Sequence, residues 1–169
     1  MPEGPEFRCG LGWDVHPLVP GRPLVVGGVR IPSELGLGGH SDADVLAHAV
    51  TDALLGAAAL GDIGQHFPDD DPRWAGADSL VLLRHAQSLA AGQGFTVVHV
   101  DATLILERPR LGPYREAIRR KLAAALELPP ACVSVKFKTA EKMGPVGEGR
   151  AAEAFAVVTL RRDGGGRAG

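Results

Sequence analysis

The sequence predicts an α+β domain, a mixed four-stranded sheet with helices packed on one face. Three observations lead there. Strand and helix signals alternate along the chain with no linker and no internal repeat. The 169 residues suit one domain with a core that needs no disulfide or metal staple. Hydrophobic residues make up 45% and charged residues 22%, the balance of an ordinary globule.

Residues 7–15 read as a first strand. In residues 24–31 (LVVGGVRI) two β-prone runs flank Gly27-Gly28, a hairpin-turn signal. Residues 32–42 turn to Gly, Ser and Asp and read as a loop. Ser41 with Asp44 resembles a capping box and opens a helix through Leu60. A Gly-, Asp- and Pro-rich stretch, 61–77, interrupts before Asp78 or Ser79 caps a second helix running to Ala91, with Gly92 and Gly94 at its end. Residues 95–106 are β-branched and alternating, hence a strand. Pro113 starts a third helix over 114–127, stopped by Pro129-Pro130. Residues 133–139 and 152–160 are the last strands, joined by the Gly-rich segment 144–149. The domain is expected to span 1–162, with 163–169 as a disordered tail.

With 18 basic against 20 acidic residues the net charge is −2, which gives no electrostatic reason to expect nucleic acid or a membrane surface as partner. Cys9 and Cys132 read as free thiols in a reducing compartment. No export signal or bilayer-spanning apolar run is evident, so a cytoplasmic location is expected.

Chemistry concentrates first in Asp14, His16 and His48. Asp14 and His16 are two apart, so on a strand both side chains leave one face. His48 lies in the apolar run 43–60, where a helix would carry it back to that strand. Two imidazoles and a carboxylate suit zinc, and three protein ligands leave one position open. Taken alone, the three also fit ordinary polar residues at a strand end and on a helix. Asp44, His48 and Asp52 share a helical face, which makes both acids candidates to hydrogen-bond a ligating ring. His40-Ser41 places an imidazole and a hydroxyl at a helix start, where an anion is favoured.

Other segments look built for a phosphorylated ligand. Lys136 and Lys138 lie on one face of a strand and Thr139 on the other, followed by Glu141, a hard oxygen ligand for magnesium beside phosphates. Glu107-Arg108-Pro109-Arg110 is a basic, proline-fixed loop suited to a nucleotide base or phosphate. Asp62-Ile63-Gly64 and Phe67-Pro68-Asp69-Asp70-Asp71 form a polar flap. Each segment alone also fits a solvated loop.

Gly12-Trp13-Asp14-Val15-His16, the run 39–45 with His48, the run 52–64, Phe67-Pro68-Asp69 and Lys138-Thr139-Ala140-Glu141 together resemble the 2-C-methyl-D-erythritol 2,4-cyclodiphosphate synthase family, over residues 7–160. The resemblance implies a homotrimer with active sites between subunits and a small nucleotide substrate. It implies zinc on Asp14, His16 and His48, and magnesium or manganese reached by Glu141. Asp62, Ile63, Gly64, Phe67, Pro68, Asp69, Asp70 and Asp71 would hold the methylerythritol part. Leu106, Glu107, Arg108, Pro109, Arg110, Leu111, Gly112, Lys138, Thr139, Ala140 and Glu141 would line the neighbouring subunit's cytidine and phosphate pocket. Asp14, His16 and Ser41 would also touch substrate, and His40 and Thr139 would stabilise the transition state. The implied activity is that of a cyclising phosphorus–oxygen lyase in non-mevalonate isoprenoid biosynthesis. The competing readings are a zinc hydrolase, with Asp69 or Asp70 activating water, and a non-catalytic metal-dependent nucleotide-binding module. One stretch departs from the family. Where the family reads Gly-Arg-Gly-Glu-Gly, this chain has Gly147-Glu148-Gly149-Arg150-Ala151, and the swap implies weak binding of geranyl diphosphate on the trimer axis.

Overall fold

The computed structural model describes residues 4–68 and 70–164. Seven strands and five helical segments follow in the order β1 (Glu6–Pro20), β2 (Leu24–Val26), β3 (Val29–Ile31), β4 (Leu35–Leu37), α1 (Val45–Ala57), α2 (Ile63–His66), α3 (Ser79–Gly92), β5 (Thr96–Ile105), α4 (Arg115–Ala125), β6 (Val133–Lys138), α5 (Gly144–Gly147) and β7 (Ala151–Arg162). The main sheet has order β4-β1-β7-β5-β6, with β5 and β6 parallel and the other pairs antiparallel. It therefore has five strands rather than the four expected. The extra strand, β4, lies in the Gly-rich stretch that reads as a loop. Its three residues become a strand because they pair with Leu18, Val19 and Pro20 at the end of β1, a tertiary partner that local composition does not reveal.

Alternation along β1 sorts its side chains. Phe7, Cys9, Leu11, Trp13 and Val15 face one side and are exposed, whereas Gly10, Gly12, Asp14 and His16 face the helices. The two glycines are there for space. A Cβ on Gly10 would run into the carbonyl of Ala53, and one on Gly12 into the carbonyl of Ala49. Opposite them α1 presents Ala49, Ala53 and Ala57, small residues four apart on one stripe. Glycine against alanine lets the helix backbone lie directly on the strand, and this close approach seats His48 over the end of β1.

α1 sits between the sheet and α3, with ten of its residues buried. α4 packs beside β6 and α3, so α1, α3 and α4 share one sheet face, as expected. One hydrophobic core joins these helices to β5, β6 and β7.

Both ends of α1 depart from the expected helix. Asp44 is the N-cap and accepts from Ala47 N at 3.0 Å, so helix begins after it rather than at Ser41. At the other end Ala59 takes φ 57°, and Leu60 N donates to Leu55 O and Ala59 N to Gly56 O. This is a Schellman closure with alanine where glycine is usual, which is why the sequence signal for the stop, Gly61, falls late. The hairpin turns where expected, with Gly27 and Gly28 at φ 53° and 74°. Asp163 and Gly164 belong to no element, and the remaining tail residues 165–169 lie outside the described residues.

Candidate metal centre

At the end of β1, beneath the first turns of α1, three donor atoms converge. Asp14 Oδ2 lies 2.9 Å from His16 Nε2 and 3.0 Å from His48 Nδ1, and the two ring nitrogens are 3.2 Å apart. Three ligands held about 2.0–2.1 Å from one ion in a tetrahedral arrangement sit about 3.3 Å from each other. The triad fits a small divalent cation, and it is the one such cluster among the described residues.

The outer nitrogens are also engaged. His16 Nδ1 is 2.8 Å from the Gly38 carbonyl, which accepts only from a protonated Nδ1, so a ring that ligates an ion would do so through a deprotonated Nε2. No side chain fits at Gly39, because a Cβ there would press on the His16 ring at 2.9 Å. His48 Nε2 lies 2.8 Å from Ser79 Oγ and 3.1 Å from Ser41 Oγ. Burial works to raise the Asp14 carboxyl, but hydrogen bonds from both imidazoles outweigh it and hold the group at about 2. Burial opposes charge on His16, yet its bond to Asp14 raises the imidazole above its ordinary value. The site therefore keeps its carboxylate ionised across the physiological range.

Neither Asp44 nor Asp52 supports a ligating ring, contrary to the spacing argument. Asp44 is fully buried and accepts from Gly27 N at 2.9 Å and Gly28 N at 2.7 Å, tying the β2–β3 turn to α1. Asp52 accepts from Ile63 N at 2.7 Å and anchors the start of α2. Four-residue spacing brings side chains to one helical face but does not say which backbone N–H groups wait there.

A cleft of about 240 Å³ opens beside the triad, lined among others by His40, Ser41, Ile63, Gly64, Phe67 and Trp74. His40, Ser41, Ile63, Gly64 and Phe67 of the sequence-predicted set thus meet at the metal centre. Asp62 instead caps α2 through Gln65 N, and Asp71 is paired with Arg73 at 2.6 Å, which keeps its carboxyl below the ordinary range. Pro68 and Asp70 are exposed and outside the cleft lining, and Asp69 lies outside the described residues. Trp74 and Ser79 carry no sequence signal for this place. Trp74 reaches it by stacking edge-on against Phe67, with ring centroids 5.0 Å apart, and Ser79 reads from sequence only as a helix start.

The second predicted group assembles elsewhere, at the parallel ends of β5 and β6. Leu106 N donates to Lys138 O at 3.0 Å, Ala140 N to Glu107 Oε2 at 3.3 Å, and Thr139 Oγ1 to Glu141 Oε1 at 2.8 Å. Arg108, Arg110, Lys138, Thr139 and Glu141 are exposed, while Leu106 and Leu111 are buried beneath them. Pro109 follows a cis peptide bond, and Gly112 opens a 3-10 turn leading into α4. Register separates this group from the triad. Asp14, Ala154, Leu104 and Phe137 form one row across the helix face, whereas Val15, Glu153, Ile105 and Lys138 form the next row on the opposite face. β6 is three strand spacings from β1, about 14 Å. Farther along, Glu148 and Arg150 form a 2.6 Å ion pair.

No helix among the described residues is long and apolar enough to cross a membrane. Residues 7–161 match the YgbB family. A 2-C-methyl-D-erythritol 2,4-cyclodiphosphate synthase of Solibacter usitatus is 66% identical over 157 residues, 93% of this chain and 99% of that relative. The solved structure of a 2C-methyl-D-erythritol-2,4-cyclodiphosphate synthase aligns with a TM-score of 0.84 at 46% identity, covering 90% of this chain and 99% of that one. A Plasmodium falciparum relative solved as a CDP complex aligns with a TM-score of 0.81 at 32% identity, covering 93% of this chain and 97% of that one. With residues 7–161 matched by the family model and 93% of its length aligned to a relative at 66% identity, the chain belongs to the YgbB family.

Proposed function

We propose that the chain converts 4-diphosphocytidyl-2-C-methyl-D-erythritol 2-phosphate into 2-C-methyl-D-erythritol 2,4-cyclodiphosphate and CMP, as a cyclising phosphorus–oxygen lyase of non-mevalonate isoprenoid biosynthesis. The convergence of Asp14, His16 and His48 beside a cleft, in a chain 66% identical to a synthase of that name, carries the reading. The substrate's own 2-phosphate attacks the β-phosphorus of its diphosphate, and CMP leaves with the bridging oxygen. That phosphate is already anionic near neutral pH, so no protein base is required.

Asp14, His16 and His48 would hold zinc, and Glu141 would reach magnesium or manganese together with the diphosphate. Ions held there would supply charge neutralisation at the reacting phosphoryl oxygens. The chain's own residues do the aligning. Ser41 Oγ accepts from Ala43 N at 3.1 Å, which leaves its proton available to a phosphate oxygen, and His40 stands beside it on the cleft wall. Ile63, Gly64 and Phe67 hold the methylerythritol part, with Asp62, Pro68, Asp70 and Asp71 in the same flap and Asp69 assigned to it from sequence alone. Leu106 to Gly112 and Lys138 to Glu141 hold the cytidine and phosphates, Thr139 acting on the transition state. Fixing both substrate ends makes their encounter intramolecular and removes most of its entropic barrier.

The sheet geometry supports reading the site as composite between subunits. Lys138 lies on the face opposite Asp14 and His16, which favours another chain as the source of the second group for a substrate that touches both. The exposed face of Phe7, Leu11, Trp13, Val15, Phe155 and Val157 is an apolar surface suited to that contact, and a homotrimer would bury it three times over. Phosphorus NMR of the reaction in oxygen-18 water tests the activity. The cyclic diphosphate and CMP without solvent label are expected. Solvent oxygen in the product would instead mark a hydrolase, and no turnover a binding module.

A further inference from the structure

We infer that Ser79, anchored by Asp42, is a positioning residue of the metal centre, the group that takes the His48 Nε2 proton and fixes which ring nitrogen faces the ion. The inference rests on reading the triad as a metal centre and goes on to say what holds it in register. Ser79 is the first residue of α3 and is fully buried. A serine there ordinarily serves the helix start, but that role is taken. Asp78 is the N-cap and accepts from Leu80 N at 2.8 Å. The Ser79 hydroxyl has two other partners, Asp42 Oδ1 and His48 Nε2, the latter at 2.8 Å.

Proton counting gives the direction of each bond. A nitrogen that ligates a cation carries no proton, so with Nδ1 in the triad the His48 ring keeps its proton on Nε2 and donates from there. Ser79 Oγ accepts it and has one proton of its own to give, and the Asp42 carboxylate is the acceptor. Asp42 is held for this task, taking Asp44 N at 3.2 Å on one oxygen and Ser79 N at 3.2 Å on the other. The chain of donors runs from imidazole to hydroxyl to carboxylate, so the negative charge of Asp42 stiffens the ring and makes its Nδ1 a better ligand. Ser41 is the rival partner, but its oxygen is farther from Nε2, at 3.1 Å, and already accepts from Ala43 N.

The arrangement also links the centre to the flap. Asp42 N donates to Ala77 O at 3.1 Å and Gly76 N to His40 O at 3.0 Å, immediately before Ser79. The backbone that ends the flap and the hydroxyl that orients the ligand are thus neighbours on one short segment. Ala43, between Asp42 and Asp44, takes φ 56°, an unfavourable conformation for alanine. It lets the two flanking acids serve different partners, Asp42 toward α3 and Asp44 toward the β2–β3 turn.

The test is zinc affinity of the purified protein, by competition with a chromophoric chelator, for wild type, Ser79→Ala and Ser41→Ala, with circular dichroism and thermal unfolding of each. Ser79→Ala should bind zinc about 10–100-fold more weakly while folded, the range for losing a group that orients a metal ligand. Ser41→Ala should stay near wild type. A wild type that binds no zinc defeats the metal-centre reading itself. A wild type that binds zinc while folded Ser79→Ala binds it equally well overturns this inference alone. Nitrogen-15 NMR of the zinc-loaded wild type decides the matter even if Ser79→Ala fails to fold. Nε2–H on His48 is expected, and Nδ1–H would overturn the assignment.

Discussion

The metal triad and the β5–β6 end lie at the same end of one sheet, and their side chains are held very differently. Around the triad each imidazole nitrogen has a partner within 3.2 Å, drawn from β1, the 38–41 loop, α1 and the start of α3. At the β5–β6 end Thr139 and Glu141 are exposed and bond mainly to each other, and Glu141 and Lys142 sit at φ 52° and 63°. The first region is organised before anything binds, as a small ion with strict distances requires. The second keeps its charged ends in water and its backbone in a costly conformation, which suits groups completed by a substrate or a neighbouring chain.

The largest expected effect breaks the organised region directly. His48→Ala should abolish stoichiometric zinc and lower cyclase activity more than about 100-fold, beyond the cost of losing a supporting group. The fold should survive because one core of this size needs no metal staple. Elemental analysis and circular dichroism check both halves. Equal zinc in variant and wild type would end the assignment.

A second experiment asks whether the two regions meet only across chains. Asp14→Ala and Glu141→Ala should each be inactive alone. After subunit exchange at equal amounts, about a quarter of all sites should carry both intact halves, with activity to match. Verified exchange without recovery would place both halves in one chain.

Gly12→Ala probes the close approach that builds the first region. The added methyl has only helix backbone to meet, so α1 must move off the sheet, at a cost of about 1–3 kcal/mol. The urea midpoint should fall and zinc binding weaken with it. An unchanged midpoint would mean that the glycine–alanine contact does not set the position of His48.

The outer face should respond least. Lys136 donates to Asp101 at 2.7 Å, and this hydrogen bond holds the Asp101 carboxyl below its ordinary 3.8. A lowered acid contributes stability that is complete above the unfolded value and fades as pH falls through the folded one. Lys136→Met should therefore cost at most about 1 kcal/mol at neutral pH, since the pair is partly solvated, and less still below pH 3. Thermal unfolding at the two pH values reads the difference. A larger loss would show that this face is not the weakly held one.

Much of the fold was legible because its signals are local. Alternation marked β5, Gly27-Gly28 marked the hairpin, and the Asp78-Ser79 pair marked the start of α3. The triad was legible as well, since a strand repeats every two residues and puts Asp14 and His16 on one face whatever surrounds it. β4 was not, because three residues extend only against a partner. Ala59 hid the end of α1 by taking a conformation that glycine usually signals.

The support of the metal centre was the least legible part. Spacing favours Asp44 and Asp52, which share the His48 face of α1, but both carboxylates are taken by backbone N–H groups from other segments. Ser79, 31 residues from His48, has the role instead. Periodicity decides which side chains leave one element together. Which hydroxyl arrives from another element depends on how the helices pack once α1 settles onto Gly10 and Gly12. The face of the sheet on which Lys138 ends relative to Asp14 depends on the pairing register of β1, β7, β5 and β6.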